Sequence, residues 1–340
     1  MKAAVFKGPG KPLVIESLDD PVPGEGELVL RVGRCGICGT DLHMTDGHAA
    51  SFPAGSVLGH EFAGEVVAIG AGVERYKLGD TVAGLAVAGC GRCANCIAGD
   101  PMWCEKGLIP AMGGFGQYTR VNALAAIKLP ATLSLEDGAL IEPLAVGLHG
   151  VTLAALGPGV RVLILGSGSI GLAAAFWARR FGATDVLVAS RSARSEDHAM
   201  SMGASCFEQF GEEFPRRVSA ALGGAPDVVF ECTGIPGMLG MGVEIVRPRG
   251  TVVLLGNCML PDTLVPSLIL FKQVRLQGSM VYSRREFEIT AEALESGAVE
   301  PRSMITDTVP LAALPAAFEA LRRPTYQCKT LVEPWAGLAT

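Results

Sequence analysis

The spacing of apolar positions changes character along the chain. Up to about residue 140 they come in short alternating runs, such as Glu27-Leu-Val-Leu-Arg-Val32 and Glu65-Val-Val-Ala-Ile69, separated by glycine and proline. That rhythm predicts the strands and turns of an irregular β domain. From about 150 to 280 the pattern becomes apolar runs alternating with helical stretches. Val160-Arg-Val-Leu-Ile-Leu165, Asp185-Val-Leu-Val-Ala189, Asp227-Val-Val-Phe230 and Gly250-Thr-Val-Val-Leu-Leu255 read as strands of a parallel sheet with helices on both faces. A helix over 286–296 and a last strand near Lys329-Thr-Leu-Val332 close the chain. The fold class predicted is α/β: an irregular β domain over 1–148, a doubly wound domain over 149–283, and a segment 284–340 returning to the first.

Composition narrows the classes. The 340 residues are 49% hydrophobic and 18% charged, with a net charge of −6. An acidic chain without a basic run argues against nucleic acid as a partner. The longest apolar stretch, Val162 to Ala178, is broken by Gly166, Ser167, Gly168, Ser169 and Gly171. It falls short of a membrane span and reads better as strand, turn and buried helix. The N-terminus lacks an apolar core of signal-peptide length, so a cytoplasmic location without membrane attachment is expected.

Within the apolar stretch, Gly166-Ser-Gly168-Ser169-Ile170-Gly171 has the spacing of a dinucleotide turn, after a strand and opening a helix. Gly166 suits the sharp turn, Gly168 lets a pyrophosphate approach the backbone, and Gly171 lets helix and strand pack closely. The helix start supplies amides to the phosphates. An NAD site usually has an acid about 20 residues beyond the last glycine. Here the next strand ends in Ser190-Arg191-Ser-Ala-Arg194. A hydroxyl and two guanidiniums suit a 2′-phosphate, so NADP(H) is expected over NAD(H).

Ten cysteines occur, and four are crowded into Cys90-x2-Cys93-x2-Cys96-x7-Cys104, in a lobe spanning 89–107. Four thiolates at that spacing suit a closed, structural zinc site. A second group, Cys35-Gly-Ile-Cys38-Gly-Thr40-Asp41-Leu-His43, Gly59-His60-Glu61 and Ile141-Glu142-Pro143, offers a thiolate, an imidazole and a carboxylate for an open zinc site. One zinc is therefore expected in the lobe, while the second group stays open on composition alone, because single Cys and His residues are often just buried.

Nearly the whole chain resembles the zinc-dependent medium-chain alcohol dehydrogenases. The run Gly59-His60-Glu61-x2-Gly64-x5-Gly70-x2-Val73 matches that family's zinc signature, and the cysteine lobe and glycine turn follow in family order. Glu142-Pro143 resembles the sorbitol and butanediol dehydrogenase branch. The resemblance implies a GroES-like fold for the β domain, and hydride transfer between NADP(H) and a secondary alcohol or diol, or the matching ketone or aldehyde. It implies a catalytic zinc on Cys38 and His60, with Glu61 or Glu142 completing the shell, and Asp41 orienting an imidazole. Thr40 and His43 would carry the proton, by way of the cofactor ribose. Leu255, Gly256, Asn257, Ser279, Met280 and Val281 would meet the nicotinamide carboxamide. Lys329 is read either as a pyrophosphate contact or as a surface lysine. The family forms dimers and tetramers, so a homo-oligomer is expected. Phe115 and Met280 either form an apolar wall or are ordinary core residues. Sorbitol dehydrogenases carry an arginine just after the position of Gly278, and this chain has none there. A modestly polar secondary alcohol, diol or ketone is therefore expected over a long sugar alcohol. The alternatives are an NAD-dependent polyol or threonine dehydrogenase and, remotely, a non-catalytic nucleotide-binding protein.

Overall fold

The computed structural model describes residues 1–47, 52–323 and 327–337. Contacts divide the chain into two units, Met1–Glu142 with Ser283–Thr340, and Pro143–Tyr282.

In the first unit the ten-residue strand Glu27–Gly36 is the hub. Leu28, Leu30 and Val32 alternate along it and are fully buried. It pairs antiparallel with Glu61–Ile69, Tyr118–Asn122 and Lys329–Glu333. Ile305–Pro310 lies parallel to Lys329–Glu333, while Thr81–Gly84 and Ala126–Lys128 extend the opposite edge. Phe6, Phe62, Phe115 and Phe318 fill the core, with Phe115 edge-on to Phe318 at 6.2 Å between ring centres. Phe115 is thus an interior packing residue, the second of the two readings that the sequence left open.

Two register shifts in the pairing with Glu61–Ile69, at Val29/Leu30 and Val32/Arg34, interrupt the ladder. Such irregularities bend a strand and re-aim its side chains. Beyond them Gly36 lies opposite Glu61 on one side and Leu331 on the other. Ends of three strands remote in sequence therefore meet, and Cys38 follows two residues after Gly36.

The second unit is a six-stranded parallel sheet. Its order is Cys206–Gln209, Asp185–Ser190, Arg161–Leu165, Val228–Glu231, Thr251–Leu254 and Arg275–Gly278. Numbered along the chain this is 3-2-1-4-5-6, the doubly wound order expected, with its reversal between Arg161–Leu165 and Val228–Glu231. The central strands are buried on both faces, as parallel strands under helices must be. The helix Ser169–Arg180 buries every residue from Gly171 to Ala178, which accounts for the long apolar stretch. Among the described residues no helix is long and apolar enough to cross a membrane.

Candidate metal centres and dinucleotide site

Cys38 is the N-cap of the short helix Gly39–His43. Its Sγ accepts from the Thr40 amide at 3.4 Å, and its own amide donates to Asp41 Oδ2 at 3.1 Å. The other Asp41 oxygen, Oδ1, is fully buried without a hydrogen bond, and lies 3.4 Å from His60 Nδ1. The contact is close enough for attraction, but too poorly aligned to count as a hydrogen bond. Donor atoms of Cys38, His60 and Glu61 lie within 4.8 Å of one another. Burial opposes a charged imidazole, yet the Asp41 carboxylate and the Cys38 sulfur outweigh it and hold the His60 pKa well above the usual value. This corner of the fold is therefore one that attracts positive charge. A soft sulfur, an imidazole and a carboxylate around one point, with an acid behind the imidazole, fit zinc.

Not every residue expected here joins that group. Glu142 is buried on the helix Leu135–Ala154, and its carboxylate lies outside the cluster. Thr40 is half-buried, and His43, at the end of the same short helix, is exposed with Nδ1 4.0 Å from Asp46. Glu61 carries a partner that sequence reading missed. Lys329 Nζ donates to both its oxygens, at 2.7 and 2.6 Å, and each side chain is only 1% exposed. Lys329 is accordingly no surface lysine. The available signal was parity: in the strand Lys329–Glu333 it shares a face with the fully buried Leu331.

In the lobe, Cys90, Cys93, Cys96 and Cys104 also lie with their sulfurs within 4.8 Å of one another. The Cys90 and Lys106 amides donate to Cys104 Sγ at 3.2 and 3.4 Å. Amides of Arg92 and Cys93 draw the Cys90 thiol down to about 6, whereas burial pushes Cys96 up to about 12. Four sulfurs this close cannot all ionise without a cation among them, and the set fits a closed zinc site. All ten cysteines are free of disulfides.

The second unit carries the glycine turn. Gly166 has φ +106°, and Gly168 caps the helix Ser169–Arg180 with no side chain on the first amides. A Cβ on Gly168 would meet nothing within 4 Å, so the approach to those amides is open. That geometry fits a dinucleotide pyrophosphate. Ser190 ends the strand Asp185–Ser190, and Arg191 and Arg194 beyond it are exposed, with no ion pair among the described residues. Ser167 Oγ and Ser195 Oγ, 2.6 Å apart, join the turn to this arginine-bearing loop.

Leu255, Gly256 and Asn257 follow the strand Thr251–Leu254, and the Leu255 and Gly256 amides donate to the Glu231 carbonyl. The buried Glu231 carboxylate accepts from the Thr233 and Gly234 amides, organising a loop that sequence reading did not single out. Ser279 Oγ is buried with no hydrogen-bond partner. Met280 is 59% exposed, and Val281 has φ +61°, a strained conformation for a β-branched residue. An orphaned hydroxyl beside a strained residue is what a ligand-contacting segment leaves in a fold.

Comparison with known proteins accords with both halves. The alcohol dehydrogenase GroES-like domain matches residues 24–131 and the zinc-binding dehydrogenase family matches 169–296. The (R,R)-butanediol dehydrogenase of Bacillus subtilis is 31% identical, over 98% of this chain and 100% of its own. Human sorbitol dehydrogenase is 33% identical, over 94% and 92%. A zinc-binding dehydrogenase of Sinorhizobium meliloti, solved bound to NADP, superposes with a TM-score of 0.87 at 33% identity, over 98% of this chain and 99% of that one. Matched along both units and alike in fold, the chain belongs to the zinc-dependent medium-chain alcohol dehydrogenases, on their sorbitol and butanediol branch.

Proposed function

We infer that the enzyme transfers a hydride between NADP(H) and a secondary alcohol that carries a neighbouring hydroxyl. The observation that carries the cofactor choice is the end of the strand Asp185–Ser190, where a serine and two unpaired arginines replace the expected acid. A carboxylate would repel a 2′-phosphate, whereas guanidinium forks bind it. The substrate class is supported by the branch, whose relatives are named for a diol and a polyol.

Bound to this chain, zinc supplies Lewis-acid polarisation of the substrate oxygen, and the nicotinamide supplies a place for the hydride. Cys38 and His60 would hold the metal, and the Asp41 carboxylate, 3.4 Å from Nδ1, would steady the imidazole by its charge. Glu61 is the carboxylate nearest to joining them, and Glu142 is kept for a more distant part. The Thr40 hydroxyl would accept the alcohol proton as it gives up its own toward the exposed His43, three residues on, which would release it to solvent. Gly168 and the first amides of Ser169–Arg180 receive the pyrophosphate, while Ser279 Oγ serves the carboxamide. The four lobe cysteines hold a second zinc that stiffens the loop and does no chemistry.

The test is initial rates with NADP and NAD on secondary alcohols, vicinal diols and sugar alcohols, with zinc-replete protein. A preference of tenfold or more for NADP supports the phosphate site. A preference for NAD overturns it and returns the enzyme to polyol oxidation with that cofactor.

A further inference from the structure

We propose that Arg322 is a positioning residue of the proton path, clamping the end of the helix Gly39–His43 so that Thr40 and His43 keep the places from which they act. The inference rests on the reading of those two residues as proton carriers, and concerns what holds them there. Gly39–His43 is five residues long. A helix so short has little stability of its own and takes its place from outside contacts. Its start is fixed locally, by the Thr40 amide on Cys38 Sγ and the Cys38 amide on Asp41 Oδ2. Its end bears His43, whose side chain is 56% exposed, with Asp46 4.0 Å away. So little side-chain contact leaves the imidazole where the backbone puts it.

Arg322 supports that backbone from 280 positions away, just beyond the helix Leu314–Ala320. Nη1 donates to the Leu42 carbonyl and Nη2 to Thr45 Oγ1, both at 2.8 Å. A guanidinium only donates, so the Thr45 hydroxyl must turn its single proton elsewhere. It turns to the Asp41 carbonyl at 2.8 Å, with the Leu42 carbonyl at 3.0 Å. Arg322, Thr45 and the carbonyls of Asp41 and Leu42 thus form one directed chain, on oxygens that a helix end leaves without α-helical partners.

The clamp is itself held. Nε donates to Glu319 Oε2 at 2.9 Å, and the guanidinium carbon lies 5.3 Å from the Phe318 ring centre. Phe318 is fully buried and stands edge-on to Phe115 in the core. Two donors from one rigid plane, standing on the core, fix the helix end in direction as well as distance. Water filling the space left by a shorter side chain would satisfy the same oxygens without fixing their direction. The last turn then loosens, and His43 with it. The residues read as binding cofactor belong to the other unit, so the defect falls on turnover rather than on binding.

The experiment measures kcat and KM of full-length, zinc-replete protein on the best alcohol and cofactor from the rate panel above, with HEPES raised at constant ionic strength. Arg322→Met is expected to lower kcat about tenfold, part of the roughly 10²–10⁴-fold that a positioned proton carrier contributes, with both KM values within about twofold of the parent. Raised HEPES should restore part of the lost turnover, because a free base replaces a displaced imidazole but does not mend a disordered pocket. In a His43→Ala background the same substitution should cost less than about twofold, since residues acting through one another are not additive. Arg322→Lys keeps the charge beside Glu319 and Phe318 but not the fork. It is the second variant should the methionine protein fail to fold, and should show the same HEPES-responsive loss at about threefold. A folded Arg322→Met that turns over like the parent overturns the proposal, as does a parent-like Arg322→Lys if only the lysine protein folds. So does a loss that ignores HEPES, or one that persists in full without His43. His43→Ala alone tests the path itself: if it turns over like the parent, the path is misread and Arg322 falls with it. If it is slow and responds to HEPES, an unaltered Arg322→Met counts against Arg322 alone.

Discussion

Gly168 and Gly171 stand three residues apart in one turn, and replacing each with alanine should fail for different reasons. Gly168 has φ −72° and ψ −179°, which any residue adopts, and its added Cβ meets nothing within 4 Å. As a helix cap glycine outperforms alanine by up to about 1 kcal/mol. Alanine recovers roughly 0.4–1 kcal/mol by restricting the unfolded chain. These terms offset, so Gly168→Ala should melt within a few degrees of the parent. Its methyl group, however, stands where a phosphate must come within about 2.9 Å of an amide. Losing even one charge-assisted hydrogen bond removes about 2 kcal/mol, or roughly 30-fold in Kd. At Gly171 the Cβ would sit 1.9 Å from the Gly166 carbonyl oxygen, a backbone atom of the same turn. Overpacking against backbone that cannot retreat is expected to destabilise by about 3 kcal/mol. Thermal unfolding without cofactor and calorimetric titration with NADPH and NADH separate the two effects. The reasoning is refuted if folded Gly168→Ala binds cofactor like the parent, or melts as low as Gly171→Ala.

Replacing Arg191 and Arg194 together with alanine should raise the NADPH Kd about tenfold or more while leaving NADH within about twofold, the guanidiniums acting only on the extra phosphate. His43→Ala should slow turnover mainly at low pH and recover partly with added imidazole. A mutant-to-parent ratio that is flat with pH would remove His43 from the proton path. Cys104→Ser should lower zinc from two to one per chain by elemental analysis and lower the melting temperature, since a closed site contributes folding energy. Arg302→Gln tests a charge pair: Arg302 grips the 2%-exposed Asp137 at 2.8 and 3.1 Å. Burial alone would raise the Asp137 pKa, but Arg302 and Ser134 together hold it below the usual range. A depressed carboxyl pKa contributes stability above its unfolded value of about 3.9, and loses it as pH falls through the folded value. The variant should thus be weaker than the parent at neutral pH, with the gap closing below about pH 4 by denaturant titration.

What the sequence made legible followed from local spacing. Arg161–Leu165, Asp185–Ser190, Val228–Glu231 and Thr251–Leu254 are apolar save at their ends because helices cover both faces, so composition alone marked them. The two outer strands escaped notice. Cys206–Gln209 and Arg275–Gly278 are largely polar and largely uncovered, as edge strands can be, and carry too little apolar pattern to show. The lobe was readable because its four cysteines lie within one turn of loop, whereas the other metal cluster became clear only through the family signature. No spacing rule connects Cys38 to His60.

The Glu61–Lys329 pair marks the limit of such reading, since 268 positions separate its members and neither neighbourhood announces the other. Yet the chain did hold two partial clues. A lysine on the inward face of an apolar strand must find a buried anion or leave the fold. A glycine within Glu27–Gly36, with no turn to serve, must be leaving space for something. Each clue alone is compatible with many partners. What joined them was register, because Gly36 lies opposite Glu61 and Leu331 at once, and that is settled by strand order rather than by any local stretch of sequence. Charge pairs in this fold are therefore specified in two steps. Local pattern decides which face a residue takes, and sheet topology then decides what it meets there.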